Sequence, residues 1–257
     1  MGTKEEDFVK DIFVSNTHDY LLCFTNKGKL YWLKTYRIPS TSRYSKGSKI
    51  INLLGLGKDE SINTILPINK FSKDKFLVMA TKKGVVKKTS LELYSKPRKT
   101  GIIGIKLREE DRLICVKLTD GNEELLMASS KGMAVRFKES QVRSSGRGSF
   151  GVRGIRLSKD DEVVDMEIAK GDCLSVSEKG YGKRTSIEDY RLINRGGKGV
   201  INIKTNERNG KVIGVKCVPE DKDVMFITKK GILIRTGINN ISKIGRNTQG
   251  VRLMKLS

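Results

Sequence analysis

The sequence of 257 residues has four cysteines, one histidine, four prolines and one tryptophan, and each scarcity removes a class of answer. Cys23, Cys115, Cys173 and Cys217 stand far apart and form no Cys-x-x-Cys pair, with only His18 to join them. That excludes a zinc site of ordinary spacing and predicts buried, reduced thiols. Aromatic residues make up 6% of the chain, too few for a surface that reads RNA by stacking bases. No apolar run approaches the roughly 20 residues that cross a bilayer, and the N-terminal MGTKEEDFVK has no signal-peptide core. A cytoplasmic location without membrane contact is expected. Acidic residues number 29 against 51 lysines and arginines; they gather at turn-like points such as Glu109-Glu110-Asp111, where they solvate loop tips. His18 has no evident nucleophile partner, and no P-loop is present. Gly146, Gly148 and Gly151 spell GxGxxG, but a dinucleotide site needs a helix after that motif, and VRGIRL reads as a strand. No catalytic group, metal or cofactor is expected.

What the chain has in place of these is a period. A Lys-Gly turn recurs at Gly28, Gly84, Gly132, Gly180 and Gly231, and a second glycine follows at Gly47, Gly101, Gly151, Gly199 and Gly250. Successive first glycines are 56, 48, 48 and 51 residues apart, close to the period of a propeller blade. Apolar runs such as KFLVMATKKG and DVMFITKKG end at these turns as hairpins do. Segments mixing apolar and basic residues follow them, as half-exposed strands would. A further strand precedes each hairpin (FVKDIFVSN, INTILPI, RLICVKL, EVVDMEI, KVIGVKC), and a short one follows each second glycine. Each repeat then supplies about four strands, with at most a turn of helix at 140–143 or 187–191. The expected fold is all-β: one propeller-like domain over 1–257, with repeats near 5–55, 60–108, 110–158, 160–206 and 210–257.

Charge follows the same period. The five segments between paired glycines hold 22 basic and four acidic residues, and so carry +18 of the net +22. A positive field repeated once per blade suits a long anionic partner, and duplex DNA fits best. An arginine stands four before the second glycine at Arg43, Arg147, Arg195 and Arg246, and Arg98 stands three before in the shorter second loop. Lys46, Lys99 and Lys198 share those loops. On the preceding strand, four after the first glycine, come Lys88, Arg136, Arg184 and Arg235, with Trp32 in the first repeat. An arginine fork beside glycine suits phosphate oxygens, so these twelve basic residues are the candidate DNA contacts. A propeller platform for an acidic protein is the alternative; it would need buried apolar anchors, and the loops offer few beyond Tyr44, Tyr94 and Phe150.

Arg195-Gly196-Gly197-Lys198-Gly199 resembles the gyrase box Q-R-R-G-G-K-G. NTHDYLLCFTNKGKLYWLKTYRIP, FKESQVRSSGRGSFGVRGIRL and ISKIGRNTQGVRLMKL are also similar to the C-terminal domain of the DNA gyrase A family, over essentially the whole chain. The resemblance implies a β-pinwheel whose blades exchange an outer strand, and whose rim wraps DNA for ATP-dependent negative supercoiling in a bacterial, nucleoid-associated enzyme. It implies partners in the N-terminal region of gyrase A and in gyrase B, with ATP, Mg and the strand-breaking tyrosine elsewhere in that assembly. Ile193 and Asn194 depart from the box. Family members usually have six blades with the box in the first, whereas five repeats are counted here and the box-like match is in the fourth; either a box-bearing repeat lies upstream or this member differs. The similar domain of topoisomerase IV, which bends DNA, is the nearest alternative.

Overall fold

Four Lys-Gly turns, at Gly28, Gly84, Gly132 and Gly180, join antiparallel hairpins. In a computed structural model, which describes residues 12–42, 45, 47–228 and 232–255, the hairpins are β1 (Tyr20–Thr25) with β2 (Lys29–Lys34), β4 (Phe76–Thr81) with β5 (Val85–Ser90), and β8 (Glu124–Ser129) with β9 (Met133–Lys138). β12 (Asp172–Ser177) with β13 (Tyr181–Ser186) and β16 (Asp223–Ile227) with β17 (Leu233–Gly237) complete the series. A third strand, β3 (Ile62–Ile68), β7 (Leu113–Thr119), β11 (Val163–Ile168) or β15 (Val212–Val218), adds to the first strand of each of the first four hairpins. A fourth strand of two residues, β6 (Ile102–Ile103), β10 (Val152–Arg153), β14 (Val200–Ile201) or β18 (Val251–Arg252), adds to the second. Successive third strands touch one another, β3 with β7, β7 with β11 and β11 with β15, so they form the inner layer.

The strand that precedes a hairpin in sequence therefore belongs to the sheet of the hairpin before it, which corrects the expectation that it joins its own. INTILPI pairs with β1, not with β4. The count of strands also changes. Four sheets have four strands, whereas β16 and β17 pair only with each other among the described residues. Of FVKDIFVSN, residues 8–11 lie outside the described residues and 12–16 form no strand. The outer-strand exchange of a pinwheel is present: β6, β10, β14 and β18 each come from the repeat after the sheet they complete.

Burial on both faces explains why the hairpin strands read as continuous apolar runs instead of alternating ones. In β4, Leu77 and Met79 pack with Leu22, Phe24 and Leu30 of the first sheet, while Val78 and Ala80 pack with Leu125, Met127 and Val135 of the third. Leu126 and Ala128 continue the pattern into the next gap, against Cys173, Val212 and Val215. Each sheet thus serves two cores, and each fully buried leucine contributes about 1.5–3 kcal/mol. After each second hairpin strand the chain makes one 3-10 turn, at Thr35–Arg37, Leu91–Tyr94, Glu139–Gln141, Ile187–Asp189 and Ile238–Asn240.

The glycines are joints between successive repeats within one sheet. The carbonyl of Gly84 accepts N–H groups from Gly154 and Ile155, and that of Gly28 accepts from Gly104 and Ile105. Gly84 has φ +85°, and a Cβ there would lie 2.9 Å from the Ile155 oxygen. Gly151 has φ +84°, and a Cβ would lie 2.6 Å from the Val86 oxygen. Both sites need positive φ and close backbone approach, so a side chain fails on two counts. Gly151 is followed by β10, not by a helix, so GxGxxG here is a loop-to-strand joint. Cys23, Cys115 and Cys173 are buried; Cys217 is half-buried, and all four are free.

Candidate nucleic-acid interface

The basic loops between the 3-10 turns and the second glycines are stitched edge to edge. Lys106 N–H donates to Ser149 O, Arg156 N–H to Gly197 O and Lys204 N–H to Thr248 O. These donors stand five after the second glycine of one repeat; the acceptors stand two before the second glycine of the next. The stitch fixes the spacing between loops, and so the spacing of the charges they carry.

Within the loops two of the arginines four before the second glycine, Arg195 and Arg246, share one geometry. Arg195 Nη1 donates to Arg153 O at 3.0 Å and its Nε to Gln141 O at 2.9 Å. Arg246 Nη1 donates to Ile201 O at 2.8 Å. Arg153 and Ile201 are both the second residue of a fourth strand, so each guanidinium rests on the outer edge of the sheet two before that of its own hairpin. Nη2 of each finds no protein acceptor among the described residues, which leaves a donor for an incoming anion. Arg147 and Arg98 line one recess with Ile103 and Gly148. Lys99 and Lys198 are exposed. Arg43 and Lys46, together with Tyr44, lie outside the described residues.

Two buried lysines hold these loops from beneath. Lys87 Nζ donates to Gly104 O at 2.9 Å and Arg147 O at 2.5 Å. Lys183 Nζ donates to Gly245 O at 2.6 Å and Arg246 O at 2.7 Å. Both side chains are fully buried. Burial pulls each ammonium down to about 8 from its ordinary value; Arg147 beside Lys87 adds to the effect, as Arg246 does beside Lys183. Each lysine sits three after a first glycine. In the third sheet that position is Val135, and there Gln141 takes over, its Oε1 accepting from Arg195 N–H at 2.9 Å.

Three residues expected to touch DNA point inward. Lys88, Arg136 and Arg184 have side chains 9%, 12% and 12% exposed, and each meets a carboxylate: Glu139 at 3.2 Å, Glu124 at 2.7 Å and Asp172 at 3.2 Å. Arg136 also donates to Ile187 O and Tyr190 O, and Arg184 Nε to Ile241 O. They are struts between a sheet and the next 3-10 turn. Trp32 has the same task, its Nε1 donating to Tyr94 O at 2.9 Å, which explains why tryptophan replaces a cation there. Arg235 stands at the matching place on β17, is 70% exposed and pairs with Asp223 at 2.6 Å. Tyr94, considered as an exposed anchor, is fully buried and donates to Gly104 O; Phe150 is exposed, under Lys106 Nζ at 4.9 Å.

Sequence reasoning missed a second basic row. Lys106, Arg156, Lys204 and Lys255 are all exposed and all stand five after a second glycine. The signal was a basic residue in IIGIKL, VRGIRL, VINIKT and VRLMKL, hidden by reading those segments for their apolar pattern alone.

The family described as "DNA gyrase C-terminal domain, beta-propeller" matches residues 19–69, 75–120, 123–170, 171–219 and 222–257. The chain belongs to this family. It is 45% identical to the DNA gyrase A subunit of Haemophilus influenzae and 47% identical to that of Salmonella typhimurium, over 98% of its own length in each case. It spans 32% and 29% of those relatives. A solved structure of a DNA gyrase A C-terminal domain superposes with TM-score 0.84 at 28% identity, covering all of this chain and 87% of that one. The C-terminal domain of a DNA topoisomerase IV also gives 0.84, at 27% identity, covering 93% and 76%.

Proposed function

We propose that the gyrase C-terminal-domain chain binds duplex DNA without base preference along its stitched basic rim. The rim bends the duplex and wraps it as part of a gyrase assembly that drives ATP-dependent negative supercoiling. The observation that carries this reading is the repeated seat of the rim arginines, Arg195 on Arg153 O and Arg246 on Ile201 O, with loops joined at fixed spacing. Guanidinium groups held at the same place on two neighbouring sheets match a charged backbone that passes each sheet in turn. Such contacts position DNA and carry no sequence code. Bending a short site costs several kcal/mol on an elastic estimate, offset by the added phosphate contacts. The contact set comprises Arg98, Lys99, Arg147, Arg195, Lys198 and Arg246, joined by Lys106, Arg156 and Lys204. Arg43 and Lys46 extend it into the first loop, and Arg235 into the fifth hairpin.

Gyrase B and the N-terminal region of gyrase A are the partners, and they supply ATP hydrolysis and strand passage. The deciding experiment binds the protein to nicked circular DNA, seals the nick with ligase, strips the protein and measures linking number. A positive shift that grows with protein concentration supports wrapping. The equal TM-score to topoisomerase IV favours a second reading, bending alone; bent DNA without a shift supports it. Neither bending nor shift defeats both.

A further inference from the structure

A tyrosine at the start of β13 lies between two arginines from separate segments. Arg208, in the turn 206–209, has its guanidinium carbon 5.2 Å from the Tyr181 ring centroid, and Arg252 of β18 has its own at 5.4 Å. Arg252 Nη2 donates to the Tyr181 hydroxyl oxygen at 3.0 Å, and Arg208 Nε reaches it at 3.5 Å. The ring itself is 6% exposed, whereas both arginines are exposed. The tyrosine is thus a fixed post that gathers two solvent-facing cations.

Three features of this group converge on an anion. Neither guanidinium forms an ion pair among the described residues, although Glu207 adjoins Arg208 in the chain and the Glu178 carboxylate lies against Gly210. Two like charges drawn to one oxygen repel each other, and a negative ligand removes that cost. The hydroxyl oxygen receives two donors while no protein acceptor among the described residues takes its own hydrogen. The two arginines also lower the phenol's pKa, Arg208 most, which marks a positive field around a hydroxyl that keeps its proton at neutral pH.

The turn is tied to the rim. Asn209 Nδ2 donates to Lys204 O at 2.7 Å and to Gln249 O at 3.0 Å. The site therefore adjoins the loop that carries Arg246, outside the repeated series. Positions matching Tyr181 in the first three sheets are Lys29, Val85 and Met133, so the arrangement is peculiar to this junction. We propose that Arg208, Tyr181 and Arg252 form a phosphate-binding site, whose ligand is a phosphodiester of duplex DNA leaving the fourth sheet. This rests on the DNA reading above. Arginine forks and a hydroxyl supply the convergent donors that phosphate oxygens accept.

The test compares wild type with R208Q/R252Q, using a fluorescent duplex of several helical turns over a range of salt. Both side chains are exposed, so the fold is retained, and a melting curve checks it. Affinity is expected to fall about tenfold and the salt slope by about one. A carbon-13 label at Tyr181 Cζ reads the wild-type site directly. Its signal is expected to move on adding duplex and to stay in place with inorganic phosphate at equal ionic strength. Unaltered affinity and slope in R208Q/R252Q overturn the site while leaving the rim reading standing. A signal that follows inorganic phosphate but not duplex makes it a free-phosphate site and overturns the DNA assignment. Wild type that binds no duplex at all overturns both.

Discussion

Lys183 Nζ lies 2.7 Å from the main-chain oxygen of Arg246, so a fully buried cation holds the peptide of a surface one. The same pairing joins Lys87 to Arg147. A charged group in a core is costly unless its hydrogen-bonding capacity is met, and here loop carbonyls meet it. The surface cation is thereby placed by a group that solvent and salt do not reach.

Replacing Lys183 by methionine is expected to free the 243–249 loop and weaken duplex binding about three- to tenfold, a larger loss than a single exposed contact gives. Hydrogen exchange supplies the control. Protection should fall in 243–249 and not in 144–150, with K87M showing the reverse. Uniform change in both loops would refute the pairing.

Stability should rise with pH between about 8 and 10.5, by at most about 3 kcal/mol for each of these two lysines. The sign follows from burial. In that window the unfolded chain keeps both protons while the folded chain has lost them, so proton binding favours unfolding less as pH climbs. Below about pH 8 both states are protonated and the slope vanishes. Urea melts of wild type and K87M/K183M at matched pH isolate the contribution, since the variant lacks it.

Arg136→Ala should cost about 2–3 kcal/mol, because it removes the partner of the part-exposed Glu124 and of two carbonyls at once. Its DNA affinity, measured where the protein is folded, should change less than twofold. Arg98→Ala should do the opposite, with melting within about 0.5 kcal/mol of wild type and the salt slope lower by about one. If R136A lowered the slope while melting normally, the strut assignment would fail.

Alanine at Lys106, Arg156 and Lys204 together should lower the salt slope by about three while leaving the stitches intact, since those bonds use main-chain N–H groups. A slope unchanged in anisotropy titrations would remove the second basic row from the interface.

The hairpins and their period were legible because a Lys-Gly turn between apolar runs is a local signal. Sheet membership was not: INTILPI pairs backward to β1, and nothing within a seven-residue segment tells which hairpin lies beside it. Within the site, Arg147 and Arg136 look alike in sequence, each basic and each at a fixed offset from a glycine. A carboxylate twelve residues earlier separates them. Glu124 precedes Arg136 and Asp172 precedes Arg184, and that spacing places the two diagonally across one hairpin, where a pair closes. Trp32 was legible only as an exception, because its role depends on one N–H and not on charge. Lys87 and Lys183 were counted as surface charge, since a buried lysine has no mark in sequence beyond its neighbours' apolarity.

Exchange of the outer strand also governs how such a chain can grow or shrink. Each four-stranded sheet borrows its last two residues of strand from the following period, and at each joint the carbonyl of a first glycine, Gly28, Gly84, Gly132 or Gly180, accepts N–H groups of the borrowed segment. Cutting out one full period, from any point to its equivalent, leaves the preceding hairpin facing an identical lender. The molecule shortens by one sheet without an orphaned edge at the cut. Duplication works the same way in reverse. The length of the basic rim then changes in steps of one sheet, so the charge it presents can be inherited in whole steps.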